Sequence, residues 1–128
     1  MRVFKNKTFS RFARKARIGD GSLCIAVLEA RHGLISADLG GGVIKQRIAR
    51  RGQGRSTGFR VLIAFKSATR AVFVHGFAKN ELDNIDDDEL AALKKLAKAL
   101  LGYDHDTIGQ LVAQGTLTEV NCDQKTVS

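Results

Sequence analysis

The sequence predicts an α+β fold: a small, antiparallel-rich sheet with two N-terminal helices on one face and further helices at the C-terminal end. Three observations carry this. Two apolar runs rich in Val, Ile and Phe, residues 59–66 and 70–77, flank Ser67-Ala68-Thr69 as the arms of a hairpin flank its loop. Apolar residues recur at helical spacing both before Gly33 and after Lys79. The chain has 128 residues, 44% of them apolar and 27% charged, which makes one ordinary soluble domain.

Each element follows from its residues. Arg2 to Lys5 alternates charge with Val3 and Phe4 and reads as a short strand. Phe9, Phe12, Ala13 and Ala16 then share one face of a basic helix, with Arg11, Arg14 and Lys15 pointing elsewhere. This Arg-rich, acid-free opening has the look of an organellar transit peptide, but no cleavage-like region separates it from the next element. Ser22 is expected to cap a second helix that turns Leu23, Val27, Leu28 and Ala30 inward and closes at Gly33, with Cys24 as a small buried apolar residue. Gly40-Gly41-Gly42 breaks the chain.

From Val43 the period becomes two. Ile44 and Ile48 alternate with Lys45, Arg47 and Ala49, a strand with one apolar and one basic face. A basic glycine loop from Arg50 to Gly58 leads into the hairpin. If Lys66 pairs with Arg70, then Leu62 faces Val74, Val61 faces His75 and Arg60 faces Gly76. Phe59, Val61, Ile63 and Phe65 then share the core face with Phe73, His75 and Phe77, and Arg60 lies on the thinner face beside a glycine with room for a substrate backbone. Asn84 or Asp86 is expected to cap a helix with Leu90, Leu93, Ala97, Leu100 and Leu101 on one side, ended by Gly102. A shorter helix over 104–114 stops at Gly115, and Thr116 to Val120 form an edge strand. Residues 1–120 are thus the domain and 121–128 a flexible tail.

Charge narrows the function. Residues 1–79 hold 17 Lys/Arg against 3 Asp/Glu, a net of +14, whereas residues 80–128 hold 4 against 10, a net of −6. Such a body favours a polyanionic partner. The longest apolar run, Leu23 to Leu28, is six residues, where a helical membrane span needs roughly 20. Residues 1–22 hold no apolar segment of the kind a secretory signal needs. Cys24 and Cys122 form neither a CxxC nor a Cys/His cluster, so no disulfide, zinc site or other metal is expected, and a cytoplasmic location fits.

Lys45, Arg47 and Arg60 are three cations on a shallow sheet surface, an arrangement that suits a phosphodiester. Each alone is an ordinary exposed strand residue; together they make a candidate site. The loop glycines 52, 54 and 58 lack the GxxxxGK[ST] pattern, yet the loop can aim Arg50, Arg51 and Arg55 at phosphates. His75, placed among phenylalanines, reads as a core histidine, and His32 and His105 as weaker candidates still. The run Asp86-Asp87-Asp88-Glu89 is more economically a helix N-terminus than a metal site.

The stretches Ile44 to Arg50, Gly52 to Leu62 and Gly76 to Glu81, followed by a leucine-rich acidic helix, resemble the HigB-like branch of the RelE/ParE toxin superfamily across about residues 2–120. The resemblance implies a bacterial type II toxin that enters the decoding site of the ribosome and cuts messenger RNA, restrained by a co-encoded antitoxin of helix-turn-helix type. Catalysis in that family needs no metal or cofactor: basic side chains position the RNA, help activate the ribose 2′-OH, and stabilise the phosphorane and the departing 5′-oxygen. By motif position, the expected catalytic residues are Arg60 on the central strand, Lys79 after the last strand, and the pair Lys45 and Arg47 on the preceding strand. Arg50, Arg51 and Arg55 are the expected RNA-binding residues. Some members use a tyrosine near the C-terminus; Tyr103 here falls where the match is poor, so lysine, arginine or His75 must move the proton. Two rival functions are a non-catalytic toxin that poisons a protein target such as DNA gyrase and a non-toxic RNA-binding module. Convergent cations favour the nuclease, and an aromatic content of 6% with core-facing phenylalanines argues against a base-stacking platform.

Overall fold

The computed structural model describes residues 1–49, 58–78 and 85–122. In chain order the elements are β1 (Arg2–Asn6), α1 (Lys7–Ala16), α2 (Asp20–Arg31), β2 (Ala37–Gly40), β3 (Val43–Ile48), β4 (Phe59–Lys66), β5 (Arg70–Ala78), α3 (Asp87–Gly102), α4 (His105–Ala113) and β6 (Leu117–Val120). The strands form one sheet in the order β2-β3-β4-β5-β1-β6. β1 runs parallel to β5, and every other pairing is antiparallel. The α+β expectation holds.

Local chemistry explains the junctions. Asn6 ends β1 and caps α1, its side-chain oxygen accepting from the Phe9 N–H at 2.8 Å, so strand passes to helix without a loop. α2 starts three residues earlier than expected: Gly19, not Ser22, is its N-cap, and Asp20 sits in the first turn where the helix dipole favours an acid. Leu28 is 43% exposed, against expectation. The buried stripe of α2 runs through Leu23, Val27 and Ala30, and Leu28 lies about 100° round the helix from Val27. β2 was not predicted. It is a four-residue edge strand, folded back on β3 through Gly40, Gly41 and Gly42, whose φ values of 85°, 63° and 84° a side chain would resist.

The sheet has a core on each face. On one, Phe9, Ala13, Leu23 and Val27 of α1 and α2 pack against Ile44, Ile48, Val61, Ile63 and Phe73. On the other, Ala97, Leu100 and Ile108 of α3 and α4 cover Phe4, Val43, Leu62, Ala64, Val72 and Val74. Gln46, on the apolar face of β3, is buried with its amide fully used: it accepts from the Ser36 N–H at 2.8 Å and donates to the Ala26 and Leu34 carbonyls at 3.1 and 3.0 Å. Arg70, at the start of β5, donates through one nitrogen to the carbonyls of Leu100 and Tyr103, both at 2.7 Å. It supplies the cation that the last turn of α3 lacks.

The cysteines overturn one expectation. Cys24 on α2 and Cys122 just past β6 form a disulfide across a sequence separation of 98. Spacing could not reveal it, because the pair meets only when α2 packs beside the edge of the sheet.

Candidate functional site

The hairpin ladder holds the site. From Lys66↔Arg70 to Ile63↔Phe73 the partners are those the sequence predicts. The register then slips by one at a β-bulge, giving Leu62↔His75, Val61↔Gly76 and Arg60↔Phe77. Val74 is the extra residue, so Val74 and His75 together oppose Leu62. The expected pairs Leu62–Val74, Val61–His75 and Arg60–Gly76 are therefore corrected by one position. Because side chains alternate with period two, everything on β5 beyond the bulge turns over.

The consequences are chemical. His75 and Phe77 leave the core face where they were expected and join the basic face, their rings 5.9 Å apart. Gly76 turns toward α1, where a Cβ would run into the ring of Phe12. The glycine thus makes room for a helix, not for a substrate backbone. Phe12 also meets Phe59 edge-on at 5.7 Å, so this contact sets how closely α1 approaches the end of the hairpin. Gly76→Ala is expected to destabilise the fold by about 1–3 kcal/mol, the cost of overpacking a filled core. Urea unfolding checks this, and a variant as stable as the parent would remove Phe12 as the reason for the glycine.

Two cross-strand rows follow from the observed register. One reads Lys45–Leu62–His75 across β3, β4 and β5; the next reads Arg47–Arg60–Phe77. Residues directly opposite share a face, so Lys45, Arg47, Arg60 and His75 lie on one side of three adjacent strands. At about 4.8 Å per strand, Lys45 and His75 stand roughly 10 Å apart at Cα, with Arg60 diagonal to both. Toward the hairpin turn this face is covered by α3 over Val43, Leu62, Ala64, Val72 and Val74. Lys45 and His75 flank Leu62, the last of these covered residues, and Arg47 and Arg60 lie one row beyond it.

Exposure differs sharply among them. Arg47 is exposed and Lys45 and His75 are half-buried, whereas Arg60 keeps 9% of its surface. Its Nη1 is buried and has no hydrogen-bond partner among the described residues. A guanidinium taken out of water with a donor unmet costs stability unless an acceptor arrives. Its planar fork matches a phosphate, and two further cations stand beside it.

Tyr103, His32 and His105 are not brought to this place. Lys79, Arg50, Arg51 and Arg55 lie outside the described residues. Tyr103 caps α3 and gives its carbonyl to Arg70, seven residues up β5 from Phe77, roughly 20 Å at 3.3 Å per residue. His32 binds the Leu28 carbonyl through Nδ1 at 2.8 Å, and His105 is exposed at the start of α4. Asp86 caps α3 by accepting from the Glu89 N–H, with Asp87, Asp88 and Glu89 in the first turn, as expected. Among the described residues no group of three or more His, Cys, Asp or Glu converges on a point. Nor is any described helix long and apolar enough to cross a membrane. Sequence reasoning named His75 but placed it on the core face, and the signal that moves it, a bulge, has no side-chain signature.

A family model described as the RelE toxin of the RelE/RelB toxin-antitoxin system matches residues 1–120. Comparison with curated proteins gives no match.

Proposed function

Because the chain belongs to the RelE toxin family, we propose that it is a ribosome-dependent endoribonuclease of the HigB-like branch, cutting messenger RNA by attack of a ribose 2′-OH on its own phosphodiester. The observation that carries this is Arg60, buried with its Nη1 lacking a hydrogen-bond partner among the described residues, on the same face of the sheet as Lys45 and Arg47. The chemistry leaves a 2′,3′-cyclic phosphate on one fragment and a 5′-OH on the other. Arg60, on the central strand, binds the non-bridging oxygens, where charge grows in the phosphorane. Lys45 and Arg47 fix the backbone from the strand alongside. Lys79 and the loop arginines Arg50, Arg51 and Arg55 are assigned further phosphate contacts in this reading. The antitoxin, of helix-turn-helix type, neutralises the toxin by masking these cations, acid against base.

The test adds purified protein to translating ribosomes and maps new 5′ ends in the message. Discrete cuts with 5′-OH termini are expected. Growth arrest without cut message would replace this reading with the poisoning of a protein target. Salt gives a second check. If Lys and Arg contacts to phosphate supply the affinity, log K should fall linearly with log salt at about −0.7 per contact on single-stranded RNA. A flat dependence would remove the nucleic acid from the account.

A further inference from the structure

We propose that His75 is the general base of this reaction, an assignment that rests on the endoribonuclease reading above. The bulge at Val74 is what brings it there: without the extra residue the imidazole would point into the α1/α2 core, and with it the ring stands on the cationic face. It is half-buried, touches the ring of the largely buried Phe77 at 5.9 Å, and takes no hydrogen bond among the described residues. A satisfied core histidine would be both covered and bonded. Lys45 ends the same cross-strand row on the far side of Leu62, and Arg60 lies between and below. A phosphodiester held on Arg60 therefore has an imidazole on one side and an ammonium on the other, as an in-line displacement requires.

Every proton has a place. The imidazole of His75 takes the proton of the 2′-OH as the 2′-oxygen forms its bond to phosphorus. The bond from phosphorus to the 5′-oxygen breaks with its electron pair, and the Lys45 ammonium protonates that oxygen. The cyclic phosphate and the 5′-OH leave, and His75 returns its proton to Lys45 through solvent. No oxidant, reductant or further reactant enters.

The test measures single-turnover cleavage in ribosomes loaded with a defined message carrying either oxygen or sulfur at the scissile 5′ position. A sulfur leaving group needs no acid. His75→Gln is expected to slow cleavage by about 10²–10⁴-fold on both messages while ribosome binding is unchanged. Lys45→Met should be slow on oxygen and recover on sulfur. Recovery of His75→Gln on sulfur would make His75 the acid and overturn the assignment, as would cleavage at the parent rate. A second measurement leaves position 75 intact. The chain has three histidines, so His32→Gln/His105→Gln keeps His75 alone; carbethoxylating that folded variant should abolish cleavage, and an undiminished rate overturns the proposal. Parent protein that cuts neither message defeats the endoribonuclease reading itself, whereas cutting that ignores His75 defeats only the base.

Discussion

Arg60→Ala is expected to lower the rate of message cleavage by about 10²–10³-fold, the usual cost of removing one donor aimed at charge that develops in the transition state. Ribosome affinity should fall far less, because one phosphate contact among many is lost. Stability should move the other way. Arg60 keeps 9% of its surface and leaves Nη1 unmet among the described residues, so it is a largely desolvated cation that an apolar residue of similar volume would relieve. Arg60→Met is thus expected to unfold at a higher urea concentration than the parent while failing to cut. Exposed Arg47, directly opposite on β3, is the comparison: Arg47→Ala should weaken binding more than it slows the chemical step. Cleavage at the parent rate by Arg60→Ala, or a marked loss of its stability, would mean that Arg60 is structural.

The second large effect concerns the crosslink. Breaking Cys24–Cys122, with a thiol reductant or by Cys24→Ser with Cys122→Ser, is expected to cost about 2–5 kcal/mol of folding stability, since the bond closes a loop of nearly a hundred residues. Paired urea titrations of oxidised and reduced protein measure it. The reduced chain should unfold at a clearly lower midpoint. Cleavage should be unaffected wherever the protein remains folded, because α2 packs on the face of the sheet opposite Lys45, Arg60 and His75 and β6 is an edge strand remote from β3 and β4. Coincident titrations would show that the bond constrains nothing the packing does not already hold.

The hairpin could be read from its residues because β-branched and aromatic runs of matched length flanked a short polar loop, and its register held from Lys66↔Arg70 to Ile63↔Phe73. It failed at Val74, since inserting one residue changes no composition and no period that a pattern could detect. That single failure misplaced His75, Gly76 and Phe77 together. β2 escaped notice because Ala-Asp-Leu-Gly has little strand preference of its own and is held by pairing with β3. The disulfide escaped because its two sulfurs are neighbours in space alone. Arg60, Lys45 and Arg47 were identifiable as a group from alternation on adjacent strands, but the burial of Arg60 was not: exposure is set by what packs over a strand, and the strand's own sequence does not record it.

The placing of β1 between β5 and β6 has a consequence for how the protein is born. Arg2 pairs with Arg70, and Val3 with both Ala71 and Val120. At about 5–20 residues per second, β1 leaves the ribosome ahead of both partners and waits roughly 3–14 s for one neighbour and 6–23 s for the other. Throughout that interval Val3 and Phe4, which end almost wholly buried, are held out to water on a strand with both edges unpaired. The meander from β2 to β5 has no such wait, because each strand meets a partner made just before it. The nascent chain therefore assembles its cationic rows first and closes its sheet last, and in between it presents a holding chaperone with one short apolar strand.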